Sequence, residues 1–109
     1  MEGLAACLRR AGQAVRRAAR VDGNQREIVA ALLKIGATVD SLAAVGGGVP
    51  DLLVGIAGRF LLLEVKNPAK PAADRCLTPA QIRWHREHAG LPVFVVLSVD
   101  EAIAAAMGR

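Results

Sequence analysis

The chain has 109 residues, of which 53% are hydrophobic and 22% are charged, and its formal net charge is +4 at pH 7. This length and composition predict a globular protein with one core and exclude a disordered one. No apolar run reaches the roughly 18 residues that a membrane-spanning helix needs, so we expect no membrane contact.

The excess positive charge lies in the first segment of the chain. Residues 1–20 contain five arginines and a single acid, whereas the rest of the chain has nine basic and nine acidic residues. Apolar residues recur there at helical spacing and predict an amphipathic helix over residues 3–20: Leu4, Leu8, Ala11, Val15 and Ala18. The arginines on its other side indicate one of three roles: a solvated helix face, an arm that binds phosphates, or an organellar targeting peptide. The apolar stripe could also form a dimer contact. We therefore expect a basic helix over residues 1–21 and a separate domain over residues 22–109.

The next elements alternate between glycine-rich breaks and apolar runs. Asn24 and Glu27 have capping-box spacing at the start of a helix that Gly36 ends. A strand is predicted over residues 38–42, and the glycines at 46–48 end it. Two further strands, at 51–56 and 60–66, flank a predicted turn at residues 57–58.

The last third of the chain predicts a helix, a strand and a helix. Residues 67–76 include two prolines and predict a loop. Thr78, Pro79 and Gln81 are typical of an N-cap, a first-turn proline and a capping-box partner, in a helix that ends near residue 88. Residues 93–98 predict a fully buried strand, and Ser98 begins a last helix that runs through residue 107.

The element order α-α-β-β-β-α-β-α predicts an α/β fold. Because the strand at 93–98 follows a helix, we expect it to pair in parallel with a strand already in the sheet. The result is a mixed sheet with helices on both faces.

Three charged residues lie at the ends of the central apolar strands: Asp51, Glu64 and Lys66. A turn at residues 57–58 pairs Asp51 with Glu64, whereas a turn at residues 58–59 pairs Asp51 with Lys66. Either two-residue turn places all three side chains on one face, because side chains alternate along a strand. A three-residue loop would separate them unless a bulge restored the register.

Two carboxylates side by side on adjacent strands repel each other, and burial increases the repulsion. A divalent cation removes this conflict, and Mg²⁺ prefers oxygen ligands of this kind. The Val65 carbonyl could add a ligand, and Lys66 could neutralise charge on a phosphate. These are components of phosphodiester hydrolysis. Glycines before Asp51, among them Gly47 and Gly48, permit close approach of a nucleic-acid strand, although an ordinary loop would also use them.

The ordered motifs resemble a known family. The pair 50-PD-51 followed by 64-EVK-66 is similar to the PD-(D/E)xK nuclease motif. Together with Glu27, 46-GGGVPD-51, 63-LEVKN-67 and 78-TPAQ-81, it resembles the virus-type replication-repair nuclease (VRR-NUC) branch over about residues 22–106. The resemblance implies a restriction-endonuclease-like fold for residues 22–109.

The resemblance also implies residue roles. Asp51, Glu64 and the Val65 carbonyl would bind Mg²⁺, with Mn²⁺ able to substitute, and Lys66 would be the catalytic lysine. Glu27 matches the helical glutamate of the family, directly or through water at the metal, and Gln81 matches a glutamine near the active site. Both of these residues also fit capping boxes, and the two roles are compatible.

Other polar residues carry weaker signals. His85 and His88 have no third metal ligand in view and predict a partly exposed helix face, and Trp84 suits packing or stacking on a base. Residues expected to contact DNA are Gly47, Gly48, Asn67, Lys70, Arg9, Arg10, Arg16, Arg17 and Arg20. Cys7 and Cys76 lack metal-ligand spacing and indicate free thiols in the reducing cytoplasm of a bacterial or phage-infected cell.

Small members of this family resemble Holliday-junction resolvases. We therefore expect a Mg²⁺-dependent endonuclease that cuts branched DNA during repair or recombination, as a homodimer because two opposed strands need two sites. The alternatives are a nuclease of restriction or nicking type acting on other DNA, a catalytically silent DNA-binding module, and a structural α/β protein whose charges cap strand ends.

Overall fold

A computed structural model describes residues 23–108, so the predicted basic helix at 1–21 and its five arginines lie outside the described residues. Within that range the elements are α1 (Gly23–Lys34), β1 (Thr38–Ser41), β2 (Leu52–Ile56), β3 (Arg59–Val65), a short 3₁₀ helix (Ala72–Asp74), α2 (Pro79–Glu87), β4 (Val93–Val96) and α3 (Val99–Ala106). Their order confirms the predicted order after the first helix. The 3₁₀ turn shows that the predicted loop at 67–76 contains some regular structure.

The four strands form one mixed sheet in the order β1-β2-β3-β4. β1 pairs with β2 and β2 with β3 in antiparallel fashion, whereas β4 is parallel to β3. This confirms the predicted parallel pairing of the last strand. The prediction that β4 is fully buried is wrong: among the strands of residues 23–108 it pairs with β3 alone at the sheet edge, and Val95 on it is 40% exposed.

A two-residue turn at Ala57–Gly58 sets the register of the β2–β3 hairpin. Both residues have positive φ angles, 53° at Ala57 and 80° at Gly58, which suits the twist of a tight hairpin. Leu52 pairs with Leu63 in the resulting ladder. The next pair outward is therefore Asp51 with Glu64, which is the first of the two registers that the sequence allowed.

One face of the sheet forms the core. Leu61 and Leu63 point toward this face, and Glu64 between Leu63 and Val65 points to the other. α1 and α3 pack on the core face, and the buried side chains that they share with the sheet are Ile28, Leu32, Leu52, Val54, Leu61, Leu63, Val96, Ala102, Ala105 and Ala106. α2 approaches the opposite face, so helices flank the sheet.

The helix ends agree only in part with the predicted caps. Gly36, at a φ of 93°, ends α1 as predicted, because glycine adopts this conformation without steric cost. Asn24 lies within α1 rather than before it, so its predicted N-cap role is wrong. Its amide instead donates to the carbonyls of Lys66 at 2.9 Å and of Leu97 at 3.3 Å, which fixes α1 to the ends of two strands.

Two observations concern the chemical setting of the chain. Cys76 forms a disulfide, so the expectation of a free thiol there is wrong, and the cytoplasmic location that rested on it stays a prediction. None of the helices within residues 23–108 has the length and apolarity to cross a membrane.

Candidate active site

Asp51 and Glu64 lie next to each other where β2 and β3 meet the glycine-rich loop. The Asp51 Oδ2 accepts a hydrogen bond from the Val65 N–H at 2.7 Å. The two carboxyl groups are close enough for the negative charge of Asp51 to raise the pKa of Glu64. The hairpin register thus brings together two acids that are separated by twelve residues in the sequence.

Pro50 explains why Asp51 makes this contact. The register that pairs Leu52 with Leu63 places Pro50 opposite Val65. Proline has no N–H to donate to the Val65 carbonyl, so the regular ladder ends here. The Asp51 carboxylate takes the Val65 N–H, and the Val65 carbonyl has no donor in the opposite residue.

Glu64 is a buried carboxyl group with an incomplete set of partners. The residue is 2% exposed, and its Oε1 has no hydrogen-bond partner within residues 23–108. Burial, and after it the negative charge of Asp51, raise the pKa of Glu64 to about 8, although the Lys66 ammonium acts in the opposite direction. Glu64 therefore tends to hold a proton at neutral pH when no cation is nearby.

Gln81 links the acid to the lysine. Its Nε2 donates to Glu64 Oε2 at 3.0 Å, and its Oε1 accepts from Lys66 Nζ at 3.0 Å. The same Oε1 accepts from the Thr78 N–H at 2.9 Å, and the Gln81 N–H donates to the Thr78 hydroxyl, which completes the predicted capping box. One carboxamide therefore completes the capping box of α2 and also contacts Glu64 and Lys66, whereas its role in an active site stays a prediction.

Gly48 positions α2 for this contact. A Cβ at residue 48 would lie 2.3 Å from the Ala80 carbonyl oxygen, and Gly48 has a φ of +86°. Only glycine permits this approach, because any other residue would collide with the first turn of α2. The absence of a side chain at Gly48 is therefore required by the protein itself, and the predicted contact of Gly48 with DNA stays a prediction.

Lys66 presents its ammonium beside the acids. Its side chain is 11% exposed, and Nζ lies 3.5 Å from Glu64 Oε2. The Asn24 amide holds the Lys66 carbonyl from the other side of the strand end. Hydrogen bonds therefore hold Lys66 at both its backbone carbonyl and its side-chain ammonium.

The structure does not bring Glu27 into this cluster. Glu27 is exposed on α1. Within residues 23–108 no group of three or more His, Cys, Asp or Glu side chains is arranged to hold a metal ion, so Glu27 does not complete a set with Asp51 and Glu64. Its role at the metal, directly or through water, stays a prediction.

The predicted DNA contacts lie around the same edge. Gly47 is exposed, at a φ of +67°, with open space around it. Asn67 partly caps its own loop, because its Oδ1 accepts from the Ala69 N–H at 2.9 Å. Lys70 is exposed in the loop that follows β3. These three positions remain predicted DNA contacts.

Sequence reasoning missed two residues near the site. His85 lies on a partly exposed helix face as predicted, but its Nε2 is buried and has no hydrogen-bond partner within residues 23–108, which the sequence did not indicate. Its position four residues after Gln81 was the available signal, since residues so spaced share a helix face. For Asn24 there was no such signal, because its partners are distant in sequence.

The residues present fit a hard divalent cation. Two adjacent carboxyl groups, one of them with a buried oxygen that lacks a partner, provide the oxygen ligands that Mg²⁺ prefers. The Val65 carbonyl, which the register places opposite Pro50, is the third oxygen ligand that the sequence predicts. A cation there would favour the ionised form of Glu64 and would remove the repulsion between the acids.

Comparison of the chain with models of protein families, with curated proteins and with solved structures finds no match.

Proposed function

We propose that this protein is a metal-dependent DNA endonuclease with a restriction-endonuclease-like fold, of the virus-type replication-repair kind that its motifs resemble. The observation that supports it most is Glu64: a carboxyl group that is 2% exposed, placed beside Asp51, with a buried oxygen that lacks a partner within residues 23–108. A buried pair of acids is costly for stability unless a proton or a cation is present.

The metal ligands in this proposal are Asp51, Glu64 and the Val65 carbonyl, with Mg²⁺ as the ion and Mn²⁺ as a substitute. When bound, such an ion polarises the scissile phosphate and makes an attacking water more acidic. Asp51 keeps its orientation through the Val65 N–H, and Glu64 through the Gln81 amide. These hydrogen bonds fix both carboxylates before the substrate arrives, so little reorganisation is needed.

Lys66 supplies positive charge where negative charge develops on the phosphate. Its ammonium is nearly buried and is directed by Gln81 Oε1. A fixed charge in a partly dry site stabilises a transition state more than a mobile charge in water does. Lys66 therefore acts mainly on the chemical step and less on binding.

Branched DNA is the proposed substrate, with cleavage in repair or recombination. The small domain of residues 23–108 has little surface for reading bases, so we propose that contacts with phosphates and the shape of the DNA dominate its recognition. In this proposal Gly47, Gly48, Asn67 and Lys70 contact the DNA beside the site, and the five arginines of residues 1–20 add phosphate contacts. Symmetric cleavage of two opposed strands calls for a homodimer with two-fold symmetry. A cytoplasmic location in a bacterial or phage-infected cell completes the proposal.

The test is cleavage of a labelled four-way junction beside a matched linear duplex, in Mg²⁺ and in EDTA. Asp51→Asn removes a ligand charge and keeps the shape of the side chain. Asp100→Asn, an exposed acid in the first turn of α3, is the matched control. We expect paired nicks on the junction that need Mg²⁺ and Asp51 and that survive the change at Asp100.

The other outcomes separate the alternatives. Equal cutting of the linear duplex would keep the nuclease and discard the preference for junctions, which is the restriction or nicking alternative. Binding in EDTA without cleavage in Mg²⁺ or Mn²⁺ would indicate a silent DNA-binding module. Absence of both binding and cleavage would contradict the proposed function.

A further inference from the structure

Three buried side-chain atoms lack a hydrogen-bond partner within the described part of the chain: Glu64 Oε1, Arg75 Nε and His85 Nε2. Glu64 belongs to the metal site proposed above, and Arg75 lies in the loop before α2. His85 lies on α2 four residues after Gln81, so the two side chains share a helix face. That face is the one from which Gln81 contacts both Glu64 and Lys66.

The two histidines of α2 differ in their surroundings. His88 stacks on Trp84, with ring centroids 3.7 Å apart, and its Nδ1 donates to the Trp84 carbonyl at 2.7 Å. His85 meets Trp84 only edge-on, at 5.6 Å, and its Nε2 has no such bond. Contacts at the C-terminal end of α2 therefore satisfy the ring of His88, whereas the Nε2 of His85 lacks a hydrogen-bond partner within residues 23–108.

The environment of His85 keeps its ring neutral. Burial, then the positive charge of Lys66, and then His88 lower the pKa of His85 below its usual value of 6.5. At neutral pH the ring therefore provides a hydrogen bond and adds no second cation beside Lys66. A buried ring nitrogen without a partner has lost its water and gains nothing in return. In the tautomer that carries the proton on Nε2, a ligand that brings an acceptor would remove this penalty.

We propose that His85 is a further catalytic residue, whose imidazole donates a hydrogen bond through Nε2 to a non-bridging oxygen of the DNA phosphodiester beside Lys66. The inference rests on the proposed function, because it names the group that contacts the scissile phosphate. Lys66 attracts the anion, and the phosphate oxygen then supplies the acceptor that His85 lacks. A neutral donor and a cation together hold the phosphate in one orientation, which neither fixes alone.

The first measurement is an NMR titration of the two histidine rings with a short DNA duplex in EDTA, where cleavage does not occur. On addition of DNA we expect the chemical shifts of the His85 ring to change, whereas those of the His88 ring should change much less. The second measurement is single-turnover cleavage by His85→Ala, His85→Gln and His88→Asn. We expect His85→Ala to lower the cleavage rate roughly 100-fold, the size typical of a lost oxyanion donor, with duplex affinity changed less than about 10-fold.

The glutamine variant separates a chemical role from a packing role. Its Nε2 can occupy the place of the histidine Nε2, so His85→Gln should recover much of the rate that His85→Ala loses. His88→Asn should retain the wild-type rate. If His85→Ala cleaves as fast as the wild type, or if the ring signals of His85 do not respond to DNA, the proposal is overturned. If the wild type cleaves no DNA at all, the proposed function fails, and the titration still decides whether His85 meets a phosphate.

Discussion

Gln81 donates a hydrogen bond to the buried Glu64 at 3.0 Å, although the two residues belong to different elements and are 17 positions apart. The same carboxamide accepts from Lys66. A carboxamide has a separate donor and acceptor, so it can donate to an acid through its NH₂ and accept from an ammonium through its oxygen at once. The orientation of the two charged groups therefore depends on a residue that also begins a helix.

Gln81→Ala should lower the rate of DNA cleavage roughly 10–100-fold, because Glu64 and Lys66 lose their common partner. It should also reduce stability, since the capping box is lost, by about 1 kcal/mol. Thr78→Ala is the matched control, because it removes the cap and keeps the Gln81 side chain. Chemical denaturation and single-turnover cleavage of both variants separate the effects. Equal losses of rate in the two variants would show that Gln81 acts through the helix alone.

Glu64→Gln should change how stability depends on pH. The pKa of Glu64 is raised from 4.5 to about 8, so between these values the folded protein holds a proton that the unfolded chain has released. The contribution of this group is fully present below pH 4.5 and is lost as pH rises toward 8, with a slope of up to about 1.4 kcal/mol per pH unit. Glutamine has no charge to bury, so the variant should lose less stability over this window.

The measurement is urea unfolding in EDTA across the same pH range. Glu87→Gln, an exposed acid at the end of α2, is the control and should follow the wild type. Parallel curves for Glu64→Gln and the wild type would mean that Glu64 is already ionised in the metal-free protein.

Gly48→Ala should displace α2 and disrupt the site. The added Cβ would meet the Ala80 carbonyl oxygen at 2.3 Å, and the positive φ of residue 48 adds strain. We expect a loss of about 3 kcal/mol in the free energy of unfolding, with cleavage reduced further than stability alone explains. Gly47→Ala is the control, because its φ is also positive but the space around it is open, and it should cost about 1 kcal/mol. Similar losses at both positions would exclude the steric role of Gly48.

The basic segment should set the salt dependence of DNA binding. Changing the five arginines of residues 1–20 to glutamine should reduce the slope of log affinity against log salt by about 4.5 in magnitude, if each arginine neutralises one phosphate. Arg26→Gln, a single exposed arginine on α1, is the control and should leave the slope almost unchanged. Identical slopes for the wild type and the fivefold variant would favour a dimer contact or packing as the role of the segment.

Local signals predicted the hairpin and the start of α2 well. The Ala57–Gly58 turn and the Thr78–Gln81 capping box depend on residues close in sequence, and the structure confirms both. The same proximity explains why Asp51 and Glu64 could be paired in advance, since a tight turn leaves only a few registers.

Long-range contacts could not be predicted in the same way. The spacing of Asn24 to Glu27 predicts an N-cap. In the folded chain the Asn24 amide instead donates to the carbonyls of Lys66 and Leu97, which are distant in sequence. The exposure of β4 also depends on which strand forms the edge, and composition does not reveal this. The buried nitrogen of His85 depends on how α2 rests on the sheet, a contact that Gly48 fixes from a separate loop.

The turn at Ala57–Gly58 also limits how this chain can change its length. Each single-residue insertion between Asp51 and Glu64 would turn one acid toward the core face, because side chains alternate along a strand. Insertions of two residues, one in each strand, would lengthen the hairpin and keep both acids together. Descendants of this sequence should therefore differ in this interval by even numbers of residues, or carry a bulge that restores the count.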